Sequence, residues 1–241
     1  MPEMSNFNIY EAIRKFEDNT KNFVISYGDD ETLLDTIRTN PKKSIIPVRS
    51  RGFLCDEHAG FLQRLCDGEL KKSLKYVKFP FLELQYGKIV REAVSEFTVK
   101  SQNPSKPICF NVSINGTEYV RNCAADGVVF SSEMGSHGYW KSVARSILRG
   151  DICGLGFINP SCDIANIILK PTDKVTVEMS RESAVVVSFD SLSEDFSAFL
   201  GQTFEFSETC DGSSVFGYDV FMCPECRKNR NITTPCNTHL T

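Results

Sequence analysis

Ile9, Ala12, Ile13 and Phe16 fall on one helical face, which predicts a helix over residues 7–18. Phe23 to Tyr27 is a short β-rich run that ends in Gly28-Asp29-Asp30-Glu31-Thr32. Leu33, Leu34 and Ile37 return to helical spacing, and Ser44 to Val48 is a second apolar run. Strand, helix and strand with short connections describe a βαβ unit, whose strands are parallel and whose functional loops sit at their C-terminal ends. Residues 61–76 read as a further helix with Leu62, Leu65 and Cys66 inward and Lys71, Lys72 and Lys75 on the wet face.

From Phe79 the period becomes that of strands. Phe79–Gln85, Ile89–Lys100 and Ile108–Ile114 alternate or run apolar, Asn115-Gly116 signals a type I′ hairpin, and Thr117–Asn122 returns. Gly127–Ser131 reads as a short buried strand. After it, Trp140, Val143, Ala144, Ile147 and Leu148 share a helical face, with Ser136 placed to cap that helix and Gly150 to end it. Further strands are expected at Gly154–Pro160, Asn166–Leu169, Lys174–Met179 and Ala184–Phe189. The loop between Asp126 and Tyr139 carries hydroxyls, an imidazole and glycines that let a ligand approach the backbone, a geometry suited to a nucleotide or another anion. Any strand-to-helix turn also needs a polar cap and a glycine, so this stretch alone leaves both readings open.

Composition narrows the choice. The 241 residues are enough for one large domain or two small ones sharing an interface. With 27 basic and 31 acidic residues, a net charge of -4 and no basic block, nucleic-acid binding and attachment to an acidic membrane are not expected. Neither a signal peptide nor an apolar run of membrane-spanning length is evident, which places the protein in the cytosol. In that reducing compartment Cys55, Cys66, Cys109, Cys123, Cys153 and Cys162 read as small buried hydrophobes. The tail differs. Cys223-Pro-Glu-Cys226 and Cys236-Asn-Thr-His239 form a C-x2-C-x9-C-x2-H pattern, three thiolates and an imidazole able to meet one tetrahedral, structural Zn²⁺, with Cys210 as an alternative ligand.

Several of these segments resemble a known family. Gly28 to Thr32 is similar to the Gly-Gly-Asp-Gly-Thr signature of the NAD kinases and the related diacylglycerol and sphingosine kinases, with Asp29 and Glu31 standing at two of the glycines. Ala93-Val94-Ser95-Glu96-Phe97-Thr98-Val99 resembles the segment Ala-Leu-Asn-Glu-Val-Val-Ile. Asp126-Gly127 followed by Gly135-Ser136-x-x-Tyr139 looks like the Asp-Gly and Thr-Pro-Thr-Gly-Ser-Thr-Ala-Tyr ligand loop, and Arg181 to Asp190 is similar to the late strand ending in Val-Ser-x-Asp-Gly. The echoes keep the family's order over roughly residues 23–190, without the opening βα unit.

The resemblance implies an α/β fold: a reduced Rossmann-like N-terminal lobe over residues 1–79, a β-rich, β-sandwich-like C-terminal lobe over 80–205, and the tail at 206–241. It implies phosphoryl transfer from ATP, with Mg²⁺, to the 2′-hydroxyl of the NAD adenosine ribose, with NAD and ATP as small-molecule partners and a homo-oligomeric assembly. Asp30 would be the catalytic group that orients or deprotonates the hydroxyl. Gly28, Thr32, Ser95, Glu96, Asp126, Gly135, Ser136, His137 and Tyr139 would hold the dinucleotide, with Asp30 and the Ser136 loop facing one ligand. The two carboxylates that replace glycines keep an alternative open, a catalytically silent relative that binds NAD(P) or another nucleotide as a sensor or interaction module. A zinc-dependent interaction surface at the tail is a third reading.

Overall fold

The computed structural model describes residues 14, 22–28, 30–49, 76–190 and 192–216. Of the helix expected over 7–18 only Arg14 is among them, and it is helical and exposed. The helix expected over 61–76, apart from its last residue, and the tail ligands Cys223, Cys226, Cys236 and His239 lie outside the described residues. The chain divides into two compact units, Met1–Lys78 with Ser213–Thr241, and Phe79–Gly212.

The first unit holds the expected strand, helix and strand: β1 (Phe23–Gly28), α1 (Asp30–Thr39) and β2 (Ser44–Arg49). β1 and β2 are parallel, Phe23 opposite Ser44 and Gly28 opposite Arg49. Leu33 and Ile37, one turn apart on α1, are buried with Ile25, Ile45, Ile46 and Val215. The helix stops where Asn40 precedes Pro41: the Asn40 side chain donates to the Thr36 carbonyl at 3.1 Å, taking up an acceptor that the next turn would have used. β2 also pairs in parallel with the end of a late strand, Ser44 and Ile45 lying opposite Ser214 and Val215.

In the second unit the alternating segments become β3 (Tyr76–Tyr86, from Phe79 onward), β4 (Ile89–Ala93), β5 (Glu96–Ser101), β6 (Ile108–Ile114), β7 (Thr117–Ala125) and β8 (Gly127–Ser131). After a short helix, α2 (Tyr139–Ala144), come β9 (Cys153–Ile158), β10 (Ile167–Leu169), β11 (Val175–Met179), β12 (Ser183–Phe189), β13 (Leu192–Ala198) and β14 (Thr203–Phe216). One sheet runs β14, β11, β6, β7, with β3 paired to β14 and β4; the other is six-stranded, in the order β10, β9, β8, β5, β12, β13. The Asn115-Gly116 turn between β6 and β7 has φ of 52° and 77°, the left-handed pair that a type I′ turn requires.

The two sheets face each other across an apolar core, as the alternation predicts. Phe97 and Phe130 from the six-stranded sheet lie 6.2 and 5.4 Å, ring to ring, from Phe206 of β14. All three are buried. The outer side of the six-stranded sheet carries α2, whose Trp140 is buried with Val129 and Leu148.

Two departures have local causes. The run Ile89–Lys100 is not one strand but two in different sheets, because the chain turns at Val94-Ser95. The helix expected to reach Gly150 ends at Ala144, where Arg145 adopts φ 55° and its N–H returns to the Lys141 carbonyl. Leu148 still joins Trp140, but its N–H is donated to the Ser136 hydroxyl at 3.0 Å instead of to a helical carbonyl.

The aromatic seam sets a measurable stability. Phe206→Ala should lower the unfolding free energy by about 3–5 kcal/mol, read from urea denaturation; a loss below about 1 kcal/mol would mean that the two sheets do not close on this ring.

Candidate functional site

The site grows from the corner where the chain leaves β4 for β5. The buried Asp190 carboxylate, at the end of β12, accepts the Val94 N–H at 2.7 Å, the Ser95 N–H at 2.8 Å and the Ser95 hydroxyl at 2.6 Å. From the opposite side the Ser132 hydroxyl lies 2.8 Å from the Val94 carbonyl and 3.0 Å from that of Ser95, and the Ser132 N–H donates to Ser95 O at 2.9 Å. Both peptide groups of the corner are thereby satisfied without a sheet partner.

This corner carries the loop that follows β8. A Cβ on Gly135 would stand 2.1 Å from the Ser95 carbonyl oxygen, so only glycine lets the loop press this closely. The Gly135 N–H donates to the Ser132 hydroxyl at 3.2 Å, and Gly135–His137 closes a single 3-10 turn. The cap expected of Ser136 is not formed: Gly138 precedes α2 and no side chain caps it. The Ser136 hydroxyl is fully buried, donates to the Glu133 carbonyl at 2.7 Å and accepts from Leu148, so it spends its hydrogen bonds on closing the loop.

Beyond the corner, β5 alternates. Phe97 and Val99 point into the core, while Glu96, Thr98 and Lys100 share the outer face with α2. The Glu96 carboxyl is pushed up to about 7, chiefly by burial; the backbone amides of Tyr139 and Trp140 and the Lys100 charge oppose that rise, and the Asp190 charge adds to it. Its Oε2 is buried without a hydrogen-bond partner, as are Thr98 Oγ1 and Trp140 Nε1. Tyr139 is half-buried, with the Lys100 ammonium 5.3 Å from its ring centroid. Burial first, and then the Glu96 and Asp126 charges, raise its phenol above the ordinary range. Asp126 is exposed and accepts the Asn159 amide at 3.3 Å, and His137 is half-buried.

Ser95, Glu96, Gly135, Ser136 and His137 therefore gather where β5 begins and β8 ends, whereas Asp126 lies at the opposite end of that strand pair, beside Ser101 and Ile158, and Tyr139 feels the charges of both Glu96 and Asp126. The set does two kinds of work. Ser95, Gly135 and Ser136 build the backbone, while Glu96, Asp126 and Tyr139 supply polar chemistry on the outer face. In the other unit Gly28 and Thr32 touch: a Cβ on Gly28 would lie 2.3 Å from Thr32 Oγ1. Asp30 is the first residue of α1, and Glu31 is exposed on its opening turn. Sequence reasoning missed Lys100, Ser132, Asn159 and Asp190 as contributors. The signal for Lys100 was present, since Glu96, Thr98 and Lys100 are polar at the strand period in an otherwise apolar run. Among the described residues no group of three or more His, Cys, Asp or Glu side chains could hold a metal ion, and no helix is long and apolar enough to cross a membrane.

Comparisons with known proteins agree with this architecture. No family model matches the chain. It is 26% identical over 201 residues to the NAD kinase of Flavobacterium psychrophilum, covering 76% of this chain and 68% of that one. It is 24% identical over 195 residues to the bifunctional NADP phosphatase/NAD kinase of Methanocaldococcus jannaschii, covering 73% of this chain and 33% of the relative. With NAD kinase 2 of Geobacillus kaustophilus the identity is 26% over 134 residues, 53% of this chain and 49% of the relative. The chain thus spans about a third and about half of the length of these last two relatives. Among solved structures, an NAD kinase from Archaeoglobus fulgidus in complex with ATP superposes with a TM-score of 0.73 at 18% identity, covering 93% of this chain and 96% of that one. Yeast NADH kinase complexed with NADH gives 0.69 at 17% identity, covering 81% and 62%. The chain is related to the NAD kinases and has their fold, a Rossmann-like N-terminal lobe with a β-rich C-terminal lobe.

The state of Glu96 has a pH signature. A carboxyl held above its ordinary value favours the fold while protonated, so its contribution is fully present below about pH 4 and is lost as pH rises through about 7. Glu96→Gln should therefore match the parent protein near pH 4 and exceed it at pH 8 by a gap on the order of 3 kcal/mol at most. Urea unfolding at both pH values checks this, and a gap that does not change with pH would show the carboxyl to be solvated.

Proposed function

We propose that the protein is an NAD-kinase-like phosphotransferase that moves the terminal phosphoryl group of ATP to the 2′-hydroxyl of the NAD adenosine ribose, giving NADP and ADP. The observation that carries the reading is sequence likeness to an NAD kinase over 76% of the chain, supported by the shared fold. In this reading Asp30 orients or deprotonates the acceptor hydroxyl, while Gly28 and Thr32 shape the turn beside it. Glu96, Asp126, His137 and Tyr139 hold the dinucleotide. Ser95, Gly135 and Ser136 act from behind by fixing the backbone. The hydroxyl oxygen bonds to the γ-phosphorus as the bond to ADP breaks, and its proton leaves toward Asp30. Rate comes from positioning and charge stabilisation rather than from covalent chemistry on the protein. Mg²⁺ would supply charge neutralisation on the phosphates, a role that needs few protein ligands and is compatible with a described surface lacking a carboxylate cage.

A second reading is favoured by two observations. Asp29 and Glu31 replace glycines beside the proposed phosphate position, and the Ser95 and Ser136 hydroxyls are committed internally. Both suit a relative that binds the nucleotide without turning it over. Incubation with NAD, ATP and Mg²⁺ while following NADP separates the two. The kinase reading expects NADP to accumulate and Asp30→Asn to lower kcat by about 100-fold or more with NAD affinity kept within a few fold. Tight NAD binding with no NADP formed would establish the silent relative, and absence of binding to NAD, NADP and ATP alike would remove both.

On the same resemblance the chain assembles as a homo-oligomer. The tail pattern Cys223, Cys226, Cys236 and His239 supports a structural zinc by ligand type and spacing. Metal analysis of the purified full chain should find about one zinc per chain, lost in Cys223→Ser; a zinc content equal in both proteins would remove the site.

A further inference from the structure

Two cysteines meet outside the candidate site. Cys123 is buried near the end of β7, whereas Cys162, expected to be buried too, is exposed on the connection between β9 and β10. Their sulfurs are 3.1 Å apart and both are thiols. The approach is built into the backbone. The Ser161 N–H donates to the Ala124 carbonyl at 2.8 Å, tying the residue before Cys162 to the residue after Cys123. The same connection is held again where the Tyr119 hydroxyl donates to the Ala165 carbonyl at 3.2 Å and Asn166 Oδ1 accepts the Phe157 N–H at 2.9 Å. A disulfide needs the sulfurs at about 2.05 Å, so closure asks for about 1 Å of movement, within the reach of side-chain rotation.

We propose that Cys123 and Cys162 form a reversible disulfide site, oxidised by low-molecular-weight disulfides of the glutathione type. The proposal is independent of the kinase reading. Cys162, the accessible partner, attacks the small disulfide as thiolate; that S–S bond breaks, one thiol leaves and Cys162 carries the other half as a mixed disulfide. Cys123 then loses its proton to solvent and attacks the Cys162 sulfur, expelling the second small thiol. Two protein thiols are oxidised and one small disulfide is reduced to two thiols. The order follows from the surroundings, since Cys123 is held up to about 12 by burial first and then by its contact with Cys162 and the nearby Cys109, which suits it to resolve rather than to initiate. Conversion of Cys162 to the mixed disulfide removes that partner's share of the effect.

The bond would close a loop that includes β8, the Ser132–Tyr139 turn and β9. It would also fix the segment whose Asn159 donates to Asp126. The full chain, reduced, desalted and equilibrated under nitrogen with graded mixtures of reduced and oxidised glutathione, is quenched in acid, alkylated, digested and mapped by mass. The expected product is a peptide pair joined through Cys123 and Cys162, about 2 Da lighter than the two reduced peptides, rising with oxidised glutathione and reversed by dithiothreitol. It should be absent from Cys162→Ser, a substitution at an exposed position, and retained in Cys109→Ser. The oxidised protein should melt several degrees above the reduced one. A Cys162 that stops at the glutathione adduct at every ratio, or that links to another cysteine, would overturn the proposal.

Discussion

The buried carboxylate of Asp190 is the contact on which the second unit turns. A chain that leaves one sheet for another must give up its ladder hydrogen bonds for at least one peptide, and in a closed core those groups cannot be left to water. Asp190 takes the donors of that break and Ser132 takes its acceptors, both at short range. The positions of Glu96 at the head of β5 and of Gly135 against the Ser95 carbonyl follow from how tightly this corner is held. Asp190 itself adopts φ 45°, a conformation that Asp tolerates better than most residues because its short side chain can bond locally.

Much of this was legible in the chain. The parallel strand, helix and strand, the Asn115-Gly116 hairpin, β6 and β8 follow from period and turn chemistry alone. What escaped were elements without a loud apolar signal. β13 (Leu192–Ala198) is an edge strand that buries only Ala198 fully, and edge strands carry charge where central ones carry branched apolar residues. β14 shows its alternation only at Phe204 and Phe206 and then continues through polar residues and Gly212, where pairing with neighbouring strands and not composition makes it extended. The helix after β8 was overread for a related reason: Leu148 belongs to its apolar cluster but reaches it after the chain has left the helix, and spacing cannot tell the two routes apart.

The site was legible as a set of positions and less so as a set of roles. Motif likeness gathered Ser95, Glu96, Gly135, Ser136 and Tyr139 onto one end of the sheet. It could not say that two of the serines would turn inward, because a hydroxyl serves a backbone carbonyl as readily as a ligand, and only the fold decides which is within reach. The chemistry left facing outward is acidic and aromatic with one ammonium: Glu96, Asp126, Tyr139 and Lys100. The charges on this face are few and of mixed sign, in keeping with a net charge of only -4.

The chain order of the two units carries a last implication. The strand that β2 pairs with is drawn from residues 214 and 215, so the whole of Phe79–Gly212 is interposed between two neighbours in one sheet. During synthesis β2 leaves the ribosome long before that partner exists and must wait with an unpaired edge, a state open to wrong pairing. The interposed unit, with all its strands already made, is free to collapse first and so to bring the two distant segments within range, shortening a closure that would otherwise be slow.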